Sequence, residues 1–113
     1  MADCVFCKII KKELSSDIVY EDEEILGFKN INPEALVHLL FVPKKHMEWK
    51  DNLSSENLQL LGALLLAAKK VALEKGILSA CKLIFNIGKT GHIPHIHLHL
   101  LGGWSGKIPM HNI

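Results

Sequence analysis

The segment His92-Ile93-Pro94-His95-Ile96-His97-Leu98-His99-Leu100-Leu101 holds four of the chain's seven histidines. From His95 onward polar and apolar residues alternate strictly. Alternate side chains of a strand point to opposite faces, so His95, His97 and His99 share one face while Ile96, Leu98 and Leu100 share the other. The apolar face suits a core. The histidine face aligns three groups that titrate near neutral pH. Such a row can bind a metal, bind phosphate or carry out covalent phosphoryl chemistry. A neutral imidazole is a nucleophile when a neighbour fixes its tautomer. A protonated imidazole beside it can neutralise phosphate oxygens or protonate a leaving group. The plain alternative is an exposed strand whose outer face happens to be histidine. Adjacent same-face histidines do not easily close a zinc tetrahedron by themselves.

Cys4-x-x-Cys7 is half a zinc site by spacing, and two more ligands are needed to complete it. Two reduced thiols without metal, or a redox pair, are the alternatives. Three cysteines in a chain without a recognisable secretion signal argue against a disulfide framework, and Cys81 reads as a small hydrophobe.

These side chains need a scaffold. A length of 113 residues, 49% apolar and 22% charged, fits one globular domain over 1–113. The same composition excludes a disordered tail and a collagen-like fibre. Thirteen basic residues against 12 acidic ones leave a net charge of +1, which gives no electrostatic case for nucleic acid or an anionic membrane. Met1-Ala2-Asp3-Cys4 lacks the basic and apolar regions of a signal, and Leu60 to Ala68 is too short to span a bilayer. The expected location is cytoplasmic.

Residues 5–11 read as a short helix. Ile18 to Tyr20 and Ile25 to Phe28 read as strands joined at the acidic Glu21-Asp22-Glu23-Glu24. Asn30-Ile31-Asn32-Pro33 is a loop. Val37 to Val42 is an apolar strand stopped by Pro43. The long helix is capped at Ser54 or Ser55, carries Glu56 in its first turn and ends at Gly76. Leu58, Leu61, Leu65, Ala68 and Ala72 are expected to form its inward face, with Leu60, Leu64 and Val71 widening it. So broad an apolar surface serves either the chain's own core or a dimer interface. Lys82 to Ile87 and His95 to Leu101 read as further strands. The sum is an α+β fold: an antiparallel sheet with one long helix and a short N-terminal helix. Lys44-Lys45 reads as a solvated turn or a phosphate-steering pair. Trp49 and Trp104 read as packing or interface residues, and His111 as an exposed tail residue.

Taken in order, these motifs resemble the histidine-triad (HIT) family. The triad at His95, His97 and His99, followed by apolar residues, is the family pattern, and Gly102-Gly103 looks like the Hint-like branch of nucleoside phosphoramidases. Cys4-Val5-Phe6-Cys7-Lys8-Ile9-Ile10 looks like the usual opening. Val19 to Glu23 and Phe28 to Pro33 look like the nucleoside-pocket hairpin. Val37 to His46 is similar to the second conserved strand, and Asn86-Ile87-Gly88 matches the Asn-x-Gly ahead of the triad.

The resemblance implies a HIT-like homodimer whose sheet continues across the interface. It implies binding of a purine nucleotide, such as AMP or an AMP-amine conjugate, and hydrolysis of the bond from the α-phosphate to nitrogen. His97 then stands where the nucleophile does and forms a nucleotidyl-histidine intermediate. His99 contacts phosphate, His38 orients or supports the nucleophile, and His95 sits behind it. Asn86 places the nucleophile or the phosphate. Phe6, Ile9, Ile18, Phe28 and Ile31 look like the apolar walls for the base. Many similar proteins hold structural zinc on such a cysteine pair plus two histidines, here His46 and His95. No acidic cluster that would hold magnesium lies near the triad, so no magnesium requirement is expected and imidazoles and backbone N–H groups carry the charge neutralisation.

Four departures stand out. Asn30 replaces an Asp that binds the ribose hydroxyls, and loses its charged acceptor. Thr90-Gly91 replaces Gly-Gln. His92 stands where the Hint-like branch often has Ser, and reads as a proton donor or a surface residue. The residues from Trp104 to Ile113 do not show the Trp-Pro-Pro-Gly-like tail. The alternatives are a dinucleoside polyphosphate hydrolase, which Gly91 disfavours, a nucleotide-binding interaction module with little catalysis, and a zinc-binding structural protein.

Overall fold

The computed structural model describes residues 4–87 and 93–104. Helix α1 covers Val5–Ile10, followed by strands β1 (Ile18–Glu21), β2 (Ile25–Lys29) and β3 (Val37–Pro43). Helix α2 (Ser55–Glu74) leads to β4 (Cys81–Phe85) and β5 (Leu98–Gly102). The five strands form one antiparallel sheet in the order β1-β2-β3-β5-β4.

Local chemistry explains the turns. Asp22 Oδ1 accepts the N–H groups of Glu24 and Ile25, both at 2.7 Å, which closes the β1–β2 hairpin. The Ser54 hydroxyl caps α2 by accepting from the N–H of Asn57 at 3.2 Å. The glycine pair after β5 has a steric reason. A Cβ on Gly102 would lie 2.6 Å from Ile77 Cδ1, and Gly103 has a φ of 82°.

The sheet buries both faces. Ile25, Leu39, Phe41, Leu98 and Leu100 pack on one side against Leu60, Leu64 and Val71 of α2. Leu26, Phe28, Leu40 and Val42 pack on the other side against Phe6 of α1.

The inward face of α2 differs from expectation. Leu58 and Leu65 are 52% and 47% exposed, whereas Asn57, Leu60, Leu64, Ala67, Ala68, Val71 and Ala72 are buried. The leucine-rich run lets several stripes be drawn at helical spacing. The true one includes polar Asn57, which is tolerated because Lys45 Nζ donates to its Oδ1 and its Nδ2 donates to the Asn52 carbonyl.

The triad strand also begins later than expected, at Leu98. Its partner β3 stops at Pro43, which has no N–H to offer. The preceding residues take another neighbour: Ile96 N–H donates to the Met47 carbonyl at 2.8 Å, and His95 bridges Glu48. Likewise β4 covers Cys81–Phe85, so Asn86 and Ile87 lie beyond its end.

Candidate functional site

Alternation of faces persists through residues 95–99 although the ladder starts only at Leu98. His95 and His97 are buried, and the Phe6 ring stands edge-on to both, with centroids 5.9 and 5.1 Å away. His97 Nδ1 lies 2.9 Å from the His95 carbonyl oxygen. A carbonyl can only accept, so Nδ1 carries the proton and Nε2 keeps its lone pair. Burial favours the neutral His97 ring and pushes its pKa down, outweighing the hydrogen bond to the carbonyl, which pulls it up.

The neighbouring tautomers follow from a backbone group too. Glu34 N–H donates to His38 Nδ1 at 3.0 Å, so neutral His38 carries its proton on Nε2. That nitrogen lies 2.9 Å from His99 Nδ1 and donates to it. Neutral His99 therefore presents an Nε2–H. Burial, then the charges of His97 and His38, push the His99 pKa down to about 4. The His97 and His99 rings are 5.1 Å apart. The site thus pairs a lone-pair nitrogen on His97 with a fixed N–H donor on His99. His38 acts on His99 in this network.

The Asn86 side-chain amide lies 3.3 Å from His99 Nε2; with the proton on Nε2, the amide oxygen accepts there, the two ends of the amide being interchangeable by a flip. Asn30 Oδ1 accepts from Asn32 N–H at 2.8 Å, which leaves its Nδ2 3.3 Å from His38 Nε2. His38 Nε2 directs its one proton to His99, so the Asn30 amide sets a second donor against it, whereas a carboxylate here would share that proton as an acceptor.

The expected apolar walls divide into two sets. Phe6 and Phe28 are buried, ring against ring at 5.7 Å, with Ile9 packed on them. Ile18 is partly open opposite Phe28 on β1, and Ile31 is 89% exposed. His92 lies outside the described residues, as do Gly88, Thr90, Gly91 and His111.

Below the triad, Cys4, Cys7, His46 and His95 bring four ligand atoms within 4.8 Å of one another. His95 Nδ1 is 3.4 Å from Cys4 Sγ and 3.6 Å from Cys7 Sγ, and His46 Nδ1 is 3.2 Å from Cys7 Sγ. Zinc bonds to sulfur and nitrogen imply tetrahedron edges of about 3.5 Å, so the four donors fit a structural zinc. The other ring nitrogens are held from outside. His95 Nε2 donates to the Pro43 carbonyl at 2.8 Å, and His46 Nε2 lies 2.9 Å from Glu48 Oε2. Glu48 and the Glu34 N–H escaped the sequence reading. Glu48 had a signal, two residues after His46 at strand spacing, but a backbone donor has none.

Lys44 pairs with Glu21 at 2.8 Å and Lys45 with Glu56 at 3.0 Å, so both belong to surface ion pairs. Trp49 is exposed, and Trp104 lies under Lys82, whose Nζ is 5.7 Å from the ring centroid. Among the described residues no helix is long and apolar enough to cross a membrane.

Residues 3–108 match the family model described as scavenger mRNA decapping enzyme C-term binding. The chain is 39% identical over 104 residues to protein HitA of Neisseria gonorrhoeae, covering 90% of this chain and 97% of that one. It is 43% identical over 107 residues to the 14 kDa zinc-binding protein of Zea mays, covering 88% and 80% respectively. The solved HIT family hydrolase from Clostridium thermocellum has a TM-score of 0.86 at 43% identity, covering 97% of this chain and 98% of that one.

Proposed function

This chain belongs to the histidine-triad (HIT) family, and from that premise we propose that it hydrolyses the P–N bond of purine nucleoside 5′-phosphoramidates. At the coarser level it is a hydrolase-like, nucleotide-binding HIT protein. One observation carries the finer reading. His97 Nδ1–H is held by the His95 carbonyl at 2.9 Å, which leaves Nε2 as a lone-pair nucleophile beside the N–H of His99.

In this mechanism His97 Nε2 attacks phosphorus and the P–N bond breaks. The amine departs with the bonding electrons and takes a proton from solvent or, where His92 is the donor, from its imidazolium. His99 Nε2–H holds a phosphoryl oxygen as charge builds on it. The His97 ring becomes an imidazolium bonded to phosphorus, its Nδ1–H still on the His95 carbonyl. Water then attacks phosphorus, its proton returns to solvent, and the nucleoside monophosphate leaves with Nε2 restored. Two easier displacements replace one hard one. Asn86 positions His99. Phe6, Ile9, Ile18, Phe28 and Ile31 line the base side, and His92 is either the proton donor to the leaving amine or a surface residue with no part in the reaction. A bound zinc fastens the N-terminal helix to the sheet under His95, away from the reacting atoms.

The protein acts as a homodimer in this reading. Leu66 and Leu73 of α2 stand uncovered, and the edge strand β4 exposes Leu83 and Phe85. Asn30 favours a second reading, a nucleotide-binding module with slow turnover, because its amide cannot serve both of its neighbours.

Rapid quench of a fluorogenic adenosine 5′-phosphoramidate, with intact mass read on the stopped protein, tests the proposal. A stoichiometric adenylyl adduct that is lost in His97→Ala is expected. Unchanged turnover in His97→Ala overturns it. AMP binding with neither adduct nor turnover selects the binding module.

A further inference from the structure

Asn86 has two neighbours of different kinds. Its side chain stands 3.3 Å from His99 Nε2, and it also lines a cleft of about 230 Å3 together with Glu48, Trp49, Ile87, Ile93 and Ile96. The sheet order places this cleft. β5 runs between β3 and β4, the β1–β2 hairpin with Ile18 and Phe28 lies on one flank, and Asn86 and Ile87 follow β4 on the other. Asn86 both touches His99 and lines the cleft, so the cleft adjoins the place where a phosphoryl group held by His99 carries its remaining substituent.

The lining defines what fits. Ile87, Ile93 and Ile96 are branched and apolar, and Trp49 offers an indole that is 55% exposed. Among the described lining residues the one carboxylate is Glu48, with Oε2 2.9 Å from His46 Nε2 and Oε1 3.7 Å from Lys50 Nζ. Pockets for drug-sized molecules run from about 300 Å3 upward, so this one takes a fragment, a ring on a short tether. A ring laid on Trp49 gains both apolar burial and aromatic contact.

We propose that this cleft is the leaving-group subsite, and that it selects substrates whose departing amine carries an aromatic ring. The assignment rests on the P–N cleavage reading above. It adds a determinant on the amine side, where Trp49 sets preference and Asn86 joins the subsite to the phosphate donor His99.

The test compares kcat/KM for the adenosine 5′-phosphoramidates of ethylamine and 2-phenylethylamine, in wild type, Trp49→Ala and Trp49→Phe. Taking the ratio within each protein and comparing it between proteins cancels the intrinsic difference between the two amines. The expected wild-type preference for the phenyl substrate is about tenfold or more. It falls to about twofold or less in Trp49→Ala and is largely kept in Trp49→Phe. A wild-type ratio near one, or a ratio unchanged in Trp49→Ala, overturns the subsite and leaves P–N cleavage standing. Failure of folded wild type to turn over either substrate overturns P–N cleavage, and the subsite with it.

Discussion

His95 holds His97 by its backbone while its own ring faces the cysteine pair. Its carbonyl accepts the His97 Nδ1–H at 2.9 Å, and its Nδ1 lies 3.4 and 3.6 Å from the sulfurs of Cys4 and Cys7. One residue therefore belongs both to the cluster that fits zinc and to the support of the proposed nucleophile.

Disturbing the cluster should reach the nucleophile through that carbonyl. In Cys7→Ser, metal content measured by mass spectrometry should fall, the Tm should drop, and phosphoramidate turnover should fall by about 10–100-fold. Glu48→Gln should weaken metal retention without removing a ligand, since it alters only the support of His46. Full turnover in metal-free Cys7→Ser would separate the two sites.

Removal of the N–H donor on His99 should cost more than removal of its support. His99→Ala is expected to lower kcat by about 10²–10³-fold, the usual loss for one preorganised donor. His38→Gln should cost less, because His99 survives and loses only its tautomer partner at 2.9 Å. Steady-state kinetics on folded variants decide the order.

Half-buried His99 makes stability depend on pH. Its folded pKa is about 4 against an ordinary 6.5, so between these values the unfolded chain binds a proton that the folded chain does not. Stability should therefore fall as pH drops from about 6.5 toward about 4, and this contribution should level off below that. Urea midpoints against pH should show a shallower slope in His99→Gln than in wild type over that window.

The two leucine sets on α2 should separate stability from assembly. Leu64→Ala removes a fully buried side chain and should cost about 2–5 kcal/mol. Leu66→Glu alters an exposed position and should leave the protomer folded while shifting sedimentation from dimer to monomer. A Leu66→Glu variant that stays dimeric would move the interface elsewhere.

Asn30→Asp should relieve the facing donors at His38. A carboxylate accepts from Asn32 N–H and shares the His38 Nε2–H with His99 Nδ1 in a three-centre bond, where the amide offers only a second donor. The expected gain in kcat/KM is several-fold. No gain would show that Asn30 is already matched to its own substrate.

Much of this molecule is written in periodicity. Strict alternation from His95 to Leu100 assigns the histidines to one face whatever the strand pairs with, because pleating depends only on the local backbone. The capped start of α2 at Ser54, the turn at Asp22 and the half-site Cys4-x-x-Cys7 are local as well. Tertiary structure decided what sequence spacing leaves degenerate. Among the many leucines of α2, only the packed sheet selects Leu60 and Leu64 over Leu58 and Leu65. Tautomers depend on backbone atoms remote in the chain, such as the Glu34 N–H on His38, and carry no residue signature. The meeting of Cys7 with His46 and His95, 39 and 88 residues away, required the chain to close on itself. A strand's own face is fixed by its covalent geometry, but what that face meets is fixed only by the fold.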